Sequence, residues 1–207
     1  FRMDAEMVRD FALASSGLLV GKIGGPSVRP YQPDGVWEAV AMIGSNTRDY
    51  KRDTGENLYR RSMYWFWKRS APPASMEIFN APAREQCTVR RERTNTPLQA
   101  LVTLNDPQFV EAARALAEKA IKSGGESSEA RIDFLTKRLI SRSLKPAELE
   151  VVKSSLADLQ QYYQTHAEQA AQLMTFGDYQ ADKAIDPVQL AAWTMLTNEL
   201  MNLDEVL

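Results

Sequence analysis

The chain has 207 residues, 44% hydrophobic and 25% charged, which suits one globular domain spanning 1–207 with room for a real core. Its 25 basic and 27 acidic residues give a formal net charge of −2, which excludes a general attraction to nucleic acid or to an anionic membrane surface. A single cysteine and a single histidine exclude an internal disulfide, a Cys-x-x-Cys-His haem attachment and the common zinc sites, so neither a cofactor nor a metal is expected in this chain.

No apolar run approaches the roughly 18 residues of a membrane span, and no signal peptide opens the chain, so membrane insertion is not expected. Phe1 stands directly before a helical pattern, and the chain therefore reads as cut from a longer polypeptide. Asp4 precedes Met7, Val8, Phe11 and Leu18, which predicts an amphipathic helix over 5–15 stopped by Gly17. Met3, Met7, Phe11 and Leu18, with Val8 alongside, fall on one side of it. That face is expected either to self-associate through residues 3–18 or to fold back near the aromatic segment at 63–67.

From Lys22 to Gly35 the glycines and prolines forbid a regular element and predict a long pinned loop. Gly24-Gly25 lacks the spacing of a phosphate-cradling loop and reads as a turn. Val36–Ile43 is too short to decide and reads as a weak helix. Glu56–Arg69 has no breaker and carries Met63, Tyr64, Trp65, Phe66 and Trp67 in a row, which predicts a central helix contacted on many sides. Trp65 and Trp67 are aromatic candidates for stacking on sugar rings, with core packing as the competing reading. Pro72-Pro73 ends this element, and residues 75–83 read as a connector.

Residues 84–114 organise the chain. Thr96 followed by Pro97 and Asp106 followed by Pro107 mark two helix starts, because each pair places a capping oxygen before a proline whose missing N–H is harmless at the first helical position. Leu98, Leu101, Val102 and Leu104 make the first of these helices strongly apolar. Phe109, Val110, Ala113, Leu116, Ala117 and Ala120 give the second a stripe ending at Gly124-Gly125. Ser127 or Ser128 caps the next helix, Pro146 opens another behind a poor cap at Lys145, residues 166–175 continue as helix, and Asp186-Pro187 starts the last. Leu190, Trp193, Met195, Leu196 and Leu200 should point inward from it. The pattern predicts an all-α, irregular bundle with long structured loops in its first half.

Between Arg84 and Arg93 stand four arginines and two glutamates, next to the helix start at Thr96. Guanidinium forks suit carboxylate, phosphate or sulfate oxygens, so Arg84, Arg90, Arg91 and Arg93, with Asn95 beside them, are oxyanion or interaction candidates. The competing reading pairs them with Glu85, Glu92 and carboxylates elsewhere, clamping an irregular segment to the helices. Cys87 lies among these arginines, but His166 is far downstream and gives no base within reach; a buried, inert thiol is expected. No catalytic set emerges.

The strings REQCTVRRERTNTPLQAL (84–101) and LNDPQFVEAAR (104–114) closely resemble the planctomycete-specific domain of unknown function. GGPSVRP (24–30), LYRRSMYWFWKR (58–69) and AAWTMLTNELMNLDE (191–205) support the resemblance. That domain lies C-terminal to cytochrome c-like domains in large secreted proteins, and this chain looks like its C-terminal part. The resemblance implies an extracytoplasmic location and cytochrome c-like domains of the same polypeptide as partners. It brings no activity and no catalytic residue. Three functional classes stay open: a structural or interaction module, a ligand-binding module for an acidic or sulfated saccharide, and an enzyme with a carboxylate site drawn from unrelated positions.

Overall fold

The structure, a computed structural model, describes residues 2–207. Eight α-helices follow in order among them: α1 (Ala5–Ser16), α2 (Ala74–Ile78), α3 (Pro97–Asn105), α4 (Pro107–Ser123), α5 (Ser128–Ile140), α6 (Pro146–Thr165), α7 (Ala167–Leu173) and α8 (Pro187–Met201). The fold is all-α, as the periodicity predicts. The four prolines that open α3, α4, α6 and α8 stand where a first-turn proline costs no hydrogen bond. The chain divides into two compact units, one formed by residues up to Leu13 with Leu19–Val102, the other by Ala14–Leu18 with Thr103–Leu207.

In the second unit α8 packs against α4, α6 and α7 and is buried on almost every side. Thr194 and Thr197 donate back to the carbonyls of Leu190 and Trp193 at 2.7 Å, and Asn198 Nδ2 reaches Leu104 O of α3 at 3.2 Å. Ala112, Ala113, Ala115, Ala117 and Ala120 make α4 thin, so its backbone sits deep in the core. The helix starts are capped as the residue types suggest, Asp106 accepting from Gln108 N, Ser127 from Ala130 N and Asp186 from Gln189 N. At α6 the Lys145 side chain has no acceptor to offer. Glu148, three residues in, accepts the Lys145 N–H at 2.8 Å instead. The helix expected over 166–175 is α7, separated from α6 by a break at His166 (φ −127°, ψ 52°).

The first unit departs more from the sequence pattern. The helix predicted over 56–69 is absent: the segment forms two short 3-10 turns, Gly55–Tyr59 and Ser62–Tyr64, joined by extended residues. A helix would need its own carbonyls, and other groups claim them. Arg9 Nη1 and Nη2 take the oxygens of Arg60 (2.8 Å) and Leu58 (2.6 Å), while Val20 N and Val28 N take those of Tyr59 and Tyr64. Aromatic residues have little helix preference to resist this and suit the extended pairing seen between Val28 and Trp65. The weak helix over 36–43 reduces to a 3-10 turn, Glu38–Val40, in which Trp37 is buried but Met42 and Ile43 are exposed. Part of the expected connector is α2.

α1 runs one residue past the predicted 5–15, to Ser16, and Gly17 at φ 74° stops it as predicted. Its buried side is Ala5, Val8, Arg9, Ala12 and Leu13, so Val8 does not belong to the Met3/Met7/Phe11 side. That side is half-buried apart from the exposed Met7. The segment that holds α1 is 58–65 rather than 63–67, and it meets Arg9 and Asp10 rather than the Met3/Met7/Phe11 side: Asp10 Oδ1 accepts from Ser62 N and Oγ, and the Arg9 guanidinium lies 5.2 Å from the Trp65 ring centre. A second buried arginine, Arg60, stacks on Tyr64 at 3.9 Å and donates to the carbonyls of Lys22, Gly24 and Pro26. It pins the predicted loop. The loop turns its carbonyls inward, with Gly24 and Gly25 at φ 77° and 87°, a geometry opposite to a phosphate cradle, which presents N–H groups.

Candidate functional site

Residues 84–96 run without helix or strand into α3, and the start of α3 is what anchors them. Thr96 Oγ1 accepts the Gln99 N–H, and Gln99 Oε1 accepts the Thr96 N–H at 3.2 Å, a reciprocal cap. The same Gln99 amide donates to Ile78 O and to Thr94 Oγ1, both at 3.0 Å, tying α3 to the end of α2 and to the arginine segment. Asn80, held at φ 59°, donates to Thr94 Oγ1 at 2.7 Å. Gln99 is buried for this reason.

The arginine segment meets the first turn of α1. Arg91 pairs with Glu6 at 2.6 Å and approaches Asp4 at 4.0 Å, and Arg93 pairs with Asp4 at 3.3 Å. The carboxylates that clamp the segment thus come from α1 rather than from the neighbouring glutamates. These guanidinium side chains keep 37% and 39% exposure, so the pairs are not enclosed and each contributes at most about 1 kcal/mol. Between them opens a cleft of about 770 Å³ lined by Asp4, Arg90, Arg91, Glu92, Arg93 and Thr94.

The other candidates are placed apart from the cleft or at its margin. Arg84 lies 4.3 Å from the Trp67 ring centre, and Trp67 Nε1 donates to Ala83 O, so this pair fastens the start of the segment. Trp65 is buried beneath Arg9 and cannot serve as a sugar platform. Asn95 accepts from Arg2 at 3.2 Å. Cys87 is exposed, contrary to the expected burial, because residues 83–90 lie on the surface and no core position falls within that run.

Three polar elements escaped the sequence reading. Buried Arg9 and Arg60 are the supports of the first unit's loops, and the one available signal was that position 9 falls between Val8 and Ala12 on the inward side of α1. In the second unit α4 buries Glu111, Arg114 and Glu118, which hold the 173–182 loop. Arg114 donates to Leu173 O (3.0 Å), Met174 O (3.1 Å) and Tyr179 O (2.6 Å); Glu111 accepts Tyr179 N, and Glu118 accepts Tyr179 Oη and Asp182 N. Burial and the Glu118 bond raise the Tyr179 pKa. These groups bind the chain to itself, and a smaller cleft of about 410 Å³ elsewhere in that unit is lined by Gln160, Gln164, Asp186, Val188 and Gln189.

The family model described as PSD1, a protein of unknown function (DUF1553), matches residues 1–156. The chain belongs to this family. The matched span holds α1, the arginine segment, α3 and the whole lining of the larger cleft. No curated protein and no solved structure matches the chain.

Proposed function

We propose that this PSD1-family chain is a structural or interaction module of a large extracytoplasmic protein, packing against other domains of the same polypeptide. The observation that carries the proposal is the inverted polarity of α3. Its Gln99 and Thr103 are buried, while Leu98 and Leu101, three residues apart on one face, keep 53% and 57% exposure. The inward positions are fixed by hydrogen bonds, Gln99 to Ile78 O and Thr103 to Asn202 Oδ1, and the two leucines fall on the solvent side. A helix that displays two leucines suits a partner surface, and Ile23, Met42, Ile43 and Val89 of the same unit are exposed as well.

The extracytoplasmic setting and the cytochrome c-like identity of a partner domain are what the resemblance of residues 84–114 implies. No described helix is long and apolar enough to cross a membrane. Exposed Met7 supports a second use of the surface, self-association through residues 3–18. Separately expressed domains of the parent polypeptide should bind this chain, and Leu98→Glu with Leu101→Glu should abolish that binding without unfolding the chain. If no such domain binds, or if the double variant binds as well as the parent, the proposal is wrong; Met7→Glu with light scattering tests self-association.

A further inference from the structure

The cleft beside α1 combines groups that the packing of the chain does not use. Arg91 and Arg93 are engaged by Asp4 and Glu6, but Arg90 and Glu92, on the same rim, form no hydrogen bond or ion pair among the described residues. Thr94 is more telling. Its hydroxyl oxygen already accepts from Asn80 Nδ2 and Gln99 Nε2, which fills both lone pairs and leaves the hydroxyl proton to donate. A half-buried hydroxyl so fixed, at the wall of a cleft, is a directed donor.

The lining is therefore mixed. Three arginines and Thr94 donate, and the carboxylates of Asp4 and Glu92 accept. A simple polyanion would be repelled by those two carboxylates. A neutral sugar would leave the Arg90 guanidinium without its complement. What satisfies both is a molecule with one anionic group for Arg90 and several hydroxyls for Glu92, Asp4 and Thr94. The volume of about 770 Å³ falls in the range that encloses a small organic ligand. The position of Asp4 between Arg91 and Arg93 shows in the chain itself that this wall accommodates a carboxylate.

The geometry points to a binding site for an acidic saccharide, with Arg90 holding the carboxylate or sulfate ester and Glu92 and Thr94 reading ring hydroxyls. The site does not depend on the α3 surface, which lies on other side chains, so either can fail alone.

Isothermal titration of the full chain with digalacturonate, with a sulfated chondroitin disaccharide, with the neutral disaccharide lactose and with inorganic sulfate tests the site. One of the two acidic sugars should bind at least about tenfold more tightly than lactose or sulfate ion, which is the worth of one charge-assisted contact. Which of the two binds identifies the anionic group as carboxylate or sulfate ester. Arg90→Gln should lower that affinity by about tenfold while leaving the thermal midpoint unchanged, since Arg90 supports nothing in the fold. Binding by neither acidic sugar, equal binding of lactose, equal binding of inorganic sulfate, or an Arg90→Gln variant of undiminished affinity would overturn the inference. Glu92→Gln, equally remote from the fold's supports, should weaken the acidic sugar and leave inorganic sulfate no weaker; the reverse pattern would also overturn it.

Discussion

Replacing Arg114 by methionine should be the most damaging single change in the second unit. The aliphatic stem of Arg114 is mimicked by methionine, so packing on α4 is largely kept, and the perturbation isolates the guanidinium. It removes three charge-assisted hydrogen bonds, to the carbonyls of Leu173, Met174 and Tyr179. A buried acceptor left without a donor costs about 1–3 kcal/mol. If one of the three carbonyls can turn to water, the other two together cost about 2–6 kcal/mol. Against total stabilities of about 5–15 kcal/mol that is a large share of what holds a typical domain. Urea denaturation gives the loss directly, and hydrogen exchange shows where it falls. Protection should collapse first at residues 173–182 and only then along α4. Arg114→Lys, which keeps the charge but offers fewer directed donors, should lie between the two. A loss under about 1 kcal/mol for the methionine variant, with residues 173–182 still protected, would refute the reading of Arg114 as the loop's support.

Thr96→Ala and Asp106→Ala should each lower stability by about 1 kcal/mol, because each removes the oxygen that accepts a first-turn N–H; neutral results in a denaturation series would contradict the anchoring of α3 and α4. Gly177→Ala should cost about 1–3 kcal/mol, since Gly177 sits at φ 78° and an added Cβ would run into the Glu111 carboxylate. An unchanged urea midpoint would show that the loop has another conformation available. Glu148, held by Arg142 and by the Lys145 N–H, has its pKa lowered to about 2. Its contribution to the start of α6 is therefore complete above the ordinary carboxylate pKa of about 4.3 and fades as pH falls toward 2. A carboxyl carbon titration with a midpoint near the ordinary value, or one unmoved by Arg142→Gln, would contradict that pairing.

The parts of the fold legible in the sequence are those set by neighbours within a turn or two. Thr96-Pro97, Asp106-Pro107 and Asp186-Pro187 announce helices because a cap and a first-turn proline act locally, and the inward side of α8 is legible in Leu190, Trp193, Leu196 and Leu200. The aromatic run at 63–67 was illegible for the opposite reason. Nothing within it forbids a helix; Arg9, some fifty residues earlier in the chain, takes the carbonyls a helix would use. Gln99 shows the same limit, since its hydrogen bonds to Ile78, Thr94 and Thr96 converge from three places, and only their convergence makes a glutamine the inward residue of α3. For the candidate site, the arginine cluster was visible as composition. Its division into fastened residues (Arg84, Arg91, Arg93) and an unengaged one (Arg90) depended on where α1 places Asp4 and Glu6.

Hydrogen exchange on this chain alone and beside the partner domains proposed for it tests the interaction reading most directly. The account predicts that α3, with Leu98 and Leu101, gains protection when those domains are present, together with one or more of the segments around Ile23, Ile43 and Val89. Unchanged exchange across α3 and all three segments in their presence would contradict it.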